Sequence, residues 1–427
     1  MTLSWFQIVR LGLVQMCLGA IVVLTTSTLN RLMVVEHALP AMLPGALVAL
    51  HYGIQITRPN WGFLSDTGGH RTRWIVGGMA VLAAGAGLAA WAVTIIPEAF
   101  WPAMVLSALA YAMIGLGAGA SGTSLLALLA TATHPRRRAA AATITWLMMI
   151  AGIALTAGTA GHFLDPYSDA LLLRIVAAVT LGALALTAVA VAGIERRVIA
   201  RAEPDPMPFA KGLAEIWAEP RARTFTLFVF LSMTAYFMQE LILEPYAGLV
   251  FGFTPGQSTR LSGAQNGGVF LGMVLVGVMA TGLRIGSLRA WVTTGCLGSA
   301  GALAGITILG QTGGPLAPAV VALGFFNGVF AVAAIGSMMA LAGEGRGARE
   351  GTRMGLWGAA QAIAAGFGGL AGAGMADLFR LWLADGAAFG LVFCLEAGLF
   401  LAAAAMAMRI IGDPAPRAAA RHMVPGE

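Results

Sequence analysis

The sequence predicts an all-α membrane protein with twelve transmembrane helices. Three observations carry this. Of 427 residues, 58% are hydrophobic and 10% charged, whereas a soluble domain carries about 25% charged residues. With a mean hydropathy of +0.83, the chain cannot cover its apolar surface with water-facing groups, so lipid is its solvent. The apolar runs are about 20 residues long without period-two alternation, which selects helices over a closed barrel, the other way a backbone can satisfy itself in lipid. Finally, basic residues crowd into alternate loops. With the N-terminus in the cytoplasm, all of the 25 Lys and Arg except Arg31, Arg174, Arg260 and Arg380 fall on the cytoplasmic side. That bias fixes an even helix number and places both termini in the cytoplasm.

Taken in order, the helices span about 9–30, 44–61, 74–94, 102–131, 139–161 and 170–194, then 224–246, 259–283, 290–310, 316–342, 355–377 and 386–410. The organisation is therefore an N-terminal half (1–194), a polar connector (195–222), a C-terminal half (223–411) and a cytoplasmic tail (412–427). The first apolar run lacks a small-residue cleavage site and reads as a mature helix. In the connector, Phe209, Leu213, Ile216 and Trp217 fall on one helical face, predicting a short amphipathic helix on the membrane surface or on the bundle ends. The halves echo each other: Pro44-Gly45 opens helix 2, and Pro255-Gly256 precedes helix 8, 211 residues later. Glycine, at 57 residues, is roughly twice its average usage of about 7% and suits close helix packing. A net charge of +6 would suggest nucleic acid in a soluble protein; here it is the topology signal. Cys17, Cys296 and Cys394 lie inside apolar runs and read as small core residues.

Four groups of residues stand out. The helix 2–3 loop, Gly62-Phe63-Leu64-Ser65-Asp66-Thr67-Gly68-Gly69-His70-Arg71, offers an interdomain latch or gate through Gly62, Asp66, Gly69 and Arg71. Asp66 there can sit at a helix N-terminus or pair with Arg71 or Arg136. On the outer side Arg31 and Glu36 end helix 1, while Gln239, Glu240 and Glu244 end helix 7. Glu240 and Glu244 share a helix face. Glu240 lies roughly 24 Å along its helix, where an acid needs a partner or water. Arg31 is the expected partner, which makes an ion-pair clasp between the halves the first reading and a proton or cargo site the second. His51, in helix 2, could ligate a metal, including the magnesium of a chlorin ring, or hydrogen-bond a neighbouring helix. Gln265 and Asn266 form the corresponding polar spot on helix 8, as weak magnesium ligands or interhelical hydrogen-bond donors.

Helices 4, 5 and 11 are almost wholly small or apolar, and helix 10 offers only Asn327 and Ser337. Transport of sugars, amino acids or ions needs convergent polar groups near the midplane, so an apolar cargo, or none, fits better. No nucleophile–base set, phosphate loop or Cys/His metal spacing is present, which argues against an enzyme.

The helix 2–3 loop resembles the signature of major facilitator superfamily transporters, in which it latches the two halves; Thr67 and His70 stand where basic residues are usual, which puts classical gating in doubt. At LNRLMVVEHALPAMLPGALVALHYGIQITRPNWGFLSDTGGHRTRWI and QELILEPYAGLVFGFTPGQSTRLSGAQNGGVFLGMVLVG the chain is similar to the PucC/LhaA family, the bacteriochlorophyll-delivery branch of that superfamily. Asn30, Arg31, Glu36, Pro44, His51, Arg58, Gly62, Asp66, Gln239, Glu240, Glu244, Pro245, Gly267 and Gly268 match family positions. The resemblance implies a major facilitator fold, with two pseudo-symmetric six-helix halves, and a non-enzymatic assembly factor for light-harvesting complexes in the photosynthetic inner (intracytoplasmic) membrane. Such a factor binds or delivers bacteriochlorophyll or carotenoid to antenna polypeptides, with reaction-centre assembly or pigment-synthesis enzymes as further partners. A proton-coupled secondary transporter of a lipophilic solute is the alternative.

Overall fold

The computed structural model describes residues 3–58, 61, 70–134, 137–195, 217–283, 285–343 and 350–410. Among them lie twelve long helical segments and no strand. We number them α1 (Trp5–Glu36), α2 (Met42–Ile54), α3 (Arg71–Thr94), α4 (Phe100–Ala132), α5 (Arg138–Phe163), α6 (Asp169–Val191), α7 (Pro220–Phe251), α8 (Pro255–Val276), α9 (Leu288–Thr312), α10 (Leu316–Gly343), α11 (Glu350–Arg380) and α12 (Asp385–Ile410). All but α2 are long and apolar enough to cross a bilayer. The run expected over 44–61 is shorter because the α-helix gives way to a 3₁₀ turn at Gln55–Thr57.

Local chemistry sets the starts. Ser4 accepts from Gln7 N at 3.3 Å while Gln7 Oε1 accepts from Ser4 N at 2.8 Å, a reciprocal cap that Thr254 and Gln257 repeat at α8 with Pro255 at the first helical position. Gly252, at φ +68, ends α7 in the left-handed conformation that only glycine adopts without strain.

Two segments run further than expected. α1 continues to Glu36 through two widened π-turns, Leu24–Thr28 and Leu32–Glu36. α7 runs past Pro245 to Phe251 rather than ending near 246. Glu240 and Glu244 therefore lie inside the helix, about two to three turns short of its end.

Among the described residues the buried apolar side chains form two large cores and a small third one, Ile150 of α5 with Val269 and Met273 of α8. One large core gathers α1–α6 residues such as Leu18, Met79 and Tyr111; the other gathers α7–α12 residues such as Phe225, Phe330 and Trp357. Within each, glycine lets backbones touch. A Cβ on Gly78 of α3 would stand 2.5 Å from Ser121 N of α4. The cores meet along α1 with α7 and α8, α2 with α11, and α5 with α8. A Cβ on Gly263 of α8 would stand 2.6 Å from Gly158 N of α5, so these helices are in backbone contact across the halves.

The latch residues Gly62, Asp66 and Gly69 lie outside the described residues, as do Phe209, Leu213 and Ile216 of the connector; Trp217 is described, helical and exposed.

Gly324 and Gly301 separate crowding from mere substitution. A Cβ on Gly324 of α10 would collide with the Gln265 carbonyl oxygen, whereas one on Gly301 of α9 meets nothing within 4 Å. In thermal-shift measurements Gly324→Leu lowers the midpoint, by an overpacking cost of about 1–3 kcal/mol, and Gly301→Leu leaves it unchanged.

Candidate functional site

A threonine-rich stretch of α1, Thr25-Thr26-Ser27-Thr28, begins the site. Buried hydroxyls in lipid must find acceptors. Thr25 and Thr26 donate to the Val22 carbonyl at 2.8 and 3.2 Å, the back-bonding that lets such residues sit within a membrane helix. The next residues face the other half. Ser27 donates to the Glu244 carboxylate of α7 and lies 3.0 Å from Ser262 Oγ of α8. A hydroxyl has one proton, so when Glu244 is ionised Ser27 gives to it and accepts from Ser262. Thr28 and Thr259 hydroxyls are 3.2 Å apart.

Asn30 resolves a second backbone problem. Pro245 has no N–H, so the Leu241 carbonyl four residues earlier loses its helical donor. Asn30 Nδ2 supplies one from α1 at 2.7 Å. The interruption in a C-terminal helix is thus capped by an N-terminal side chain.

Arg31 is only 2% exposed and has three described partners: Glu36 Oε1 at 2.5 Å, the Phe253 carbonyl at 2.6 Å and Ser258 Oγ at 3.3 Å. This corrects the expected clasp. Arg31 does join the halves, but through a carbonyl and a hydroxyl, and its ion pair is with Glu36 on its own segment. Glu36 follows five residues later around the widened turn and reaches the guanidinium first. Glu240 instead meets the Thr26 hydroxyl. At the same end of the bundle Asp377 of α11 accepts from Ala41 N at 3.0 Å and Met42 N at 2.7 Å, placing a carboxylate on the positive N-terminus of α2. Arg260 of α8 pairs with Asp165 at 3.6 Å.

The candidate pigment ligands are placed differently. His51 is 2% exposed, its Nε2 lies 3.0 Å from Gln55 Nε2, and its backbone carbonyl faces Gly115 of α4. The ring itself lies beside Tyr52, at 4.8 Å between centroids, and has no room beside it for a macrocycle while it stays buried. Asn266 donates to the Ser262 carbonyl of its own helix at 3.0 Å, an intrahelical bond rather than an interhelical one, and the Gln265 backbone packs on Gly324. His51 is buried, whereas Gln265 and Asn266 are half-exposed on α8. Arg71 belongs to the start of α3: its N–H donates to Glu195 at 2.6 Å and its guanidinium to the Ala127 carbonyl at 2.8 Å. Glu195 also takes the Thr72 hydroxyl at 2.6 Å, so it caps α3 within one half.

Open space lies elsewhere. A crevice of about 540 Å³ runs between α3 and α4, walled by Trp61, Trp74 and Leu116 and floored by Gly77 and Gly117, with His70 and Arg73 at its mouth. A smaller groove of about 220 Å³, lined by residues such as Cys17, Gly152 and Gly182, lies between α1, α5 and α6. Among the described residues no three His, Cys, Asp or Glu are placed to hold a metal ion.

Sequence reading missed the hydroxyl run of α1, the two capping acids, and Glu396 of α12, which is fully buried with neither oxygen hydrogen-bonded. The polar stretch TTSTLNR inside an apolar helix was the available signal, as was an acid within the final apolar run.

The Asn30 cap yields a test. Asn30→Leu orphans the Leu241 carbonyl and lowers stability by about 1–3 kcal/mol. In a Pro245→Ala background, where residue 245 can donate, the same change costs less. A double-mutant cycle read by thermal unfolding in detergent checks this.

The family described as "PUCC protein" matches residues 28–414. The "Bacteriochlorophyll synthase 44.5 kDa chain" of Rhodobacter capsulatus is 69% identical over 423 residues, covering 99% of this chain and 98% of that protein. "Protein PucC" of Cereibacter sphaeroides is 30% identical, covering 92% and 90%. Among solved structures, a D-xylose-proton symporter superposes with a TM-score of 0.75 at 14% identity, over 96% of this chain and 99% of that one. A bacterial homologue of the lysosomal transporter Spinster, inward-facing and unoccupied, gives 0.68 at 15%, over 97% and 100%. At these identities the likeness is one of fold, the major facilitator fold.

Proposed function

The chain belongs to the PUCC protein family, and from that premise we propose that it is a non-enzymatic membrane assembly factor. It binds bacteriochlorophyll, or a carotenoid, and presents it to light-harvesting antenna polypeptides in the photosynthetic inner membrane, with both termini in the cytoplasm. The observation that carries this reading is the 69% identity, over nearly the whole of both chains, to a protein named for bacteriochlorophyll. The architecture supports it. The halves are tied at one end by hydroxyls, an amide and backbone carbonyls, while the two cavities open sideways and are lined mostly by Gly, Ala and large apolar side chains. A ligand that travels in the hydrocarbon phase needs such a lateral entry and little else that is polar. The relative's name includes the word synthase; in our reading this chain serves pigment synthesis as a carrier beside the enzymes.

A second reading, proton-coupled transport of a lipophilic solute, draws on Glu244, which is 3% exposed with one oxygen unpartnered on the seam between the halves. An intramembrane acid at such a boundary is a proton-site candidate.

The two readings part in one experiment. Protein isolated from pigment-replete phototrophic membranes carries a bacteriochlorophyll absorption band and antenna polypeptides under the first. Colourless protein without antenna subunits contradicts it. Under the second, Glu244→Gln or Glu240→Gln abolishes solute flux in proteoliposomes, and unchanged flux removes that reading.

A further inference from the structure

Gly77 has no packing reason to lack a side chain. Its neighbour Gly78 does: a Cβ there would strike α4 at 2.5 Å. A Cβ on Gly77 meets nothing within 4 Å, although glycine in a helix interior costs about 0.5–1 kcal/mol relative to alanine. Its bare backbone does one visible thing, which is to floor the crevice between α3 and α4.

The walls are also built. The Trp61 and Trp74 rings lie 5.8 Å apart at 57°. Trp61 is fixed by its indole N–H donating to Thr57 Oγ1 at 3.1 Å, and a Cβ on Gly119 of α4 would stand 3.6 Å from its ring. Polarity is graded along the membrane normal. Arg73 sits in the first turn of α3, Gly77 lies about 6 Å further in, and Val81 about 12 Å. The mouth therefore falls at the headgroup level and the floor in hydrocarbon. A packed pair of indoles, a glycine without a side chain and an arginine at the helix start match a planar, rigid amphiphile with one acidic or carbonyl-bearing edge. A phospholipid, with flexible chains, needs neither the flat floor nor the indoles.

We propose that this crevice is where the chain docks its pigment: a planar tetrapyrrole lies over Gly77 beside the packed Trp61–Trp74 pair and turns its carboxyl or carbonyl edge to Arg73. The proposal rests on the pigment-carrier reading above and moves the site away from His51, which is only 2% exposed. The volume, about 540 Å³, lies within the range of about 300–1,000 Å³ for small-molecule pockets; the hydrocarbon tail stays in the bilayer.

The test titrates bacteriochlorophyllide, the de-esterified acid, and esterified bacteriochlorophyll into the full chain in nanodiscs, reading pigment absorption and induced circular dichroism. Gly77→Phe puts a ring at the crevice surface from a position where a Cβ meets nothing within 4 Å, and it weakens binding of both by about tenfold or more. Gly87→Phe is the control: Gly87 is on the same helix, likewise has nothing within 4 Å of a Cβ, and does not line the crevice; its affinity stays at the wild-type value. Arg73→Gln erases a preference for the acid over the ester of about tenfold, the effect of losing one charge-assisted hydrogen bond. Wild-type affinity in Gly77→Phe overturns the crevice as the site and leaves the carrier reading standing. A wild-type chain that binds neither pigment overturns both.

Discussion

Lipid offers no hydrogen bonds, and the way the two halves meet follows from that constraint. A proline inside a membrane helix exposes a carbonyl, and in hydrocarbon such a group costs several kcal/mol unless it is capped. Pro245 exposes the Leu241 carbonyl, and the cap is Asn30 of the opposite half. Around this contact the remaining polar groups of the seam pair in the same manner. Ser27 meets Glu244, Thr28 meets Thr259, and Arg31 reaches Ser258 and the Phe253 carbonyl. Each half thus completes hydrogen bonds that the other leaves open. Such a seam holds the halves more specifically than apolar surfaces, which gain little by leaving lipid for one another.

The division of labour is spatial. At the end of the bundle opposite the N-terminus, Asp377 seals the start of α2 and the Asp165–Arg260 pair lies between α8 and the end of α5. Along the flanks the protein presents glycine-smoothed helices and sideways crevices. None of the seam residues Ser27, Thr28, Asn30, Arg31 or Glu244 lines either crevice, so the polar junction and the apolar flank are separate surfaces.

The arrangement was legible in the sequence where it depends on lipid alone. Apolar runs and alternating Arg clusters gave the helix number, and the Pro-Gly openings gave the echo between halves. Helix ends were less so. The sequence offers no sign that α1 absorbs two extra turns as π-turns, or that α7 runs through Pro245, because the donor that permits this is supplied by Asn30, 215 residues away in the chain. The acids Glu36, Glu240 and Glu244 were visible. Which of them Arg31 would choose depends on a local turn, and Glu36 is nearer. The hydroxyls of Thr25 and Ser27 escaped notice because each is inexpensive when back-bonded or paired. His51 looked like a ligand because a lone imidazole in an apolar run is conspicuous; in the fold it is buried, with Nε2 at 3.0 Å from Gln55 of its own segment. The crevice could not be read at all, since the difference between Gly77 and Gly78 exists only once α4 lies against α3.

The central claim is that this protein works through apolar lateral surfaces, with its polar groups spent on holding the halves together. A cryo-electron microscopy map of the protein taken from phototrophic membranes without pigment extraction tests that directly. The account predicts flat macrocycle density on a helix flank beside glycine and tryptophan. A hydrated chamber at the midplane, ringed by ionised side chains around a water-soluble metabolite, would contradict it.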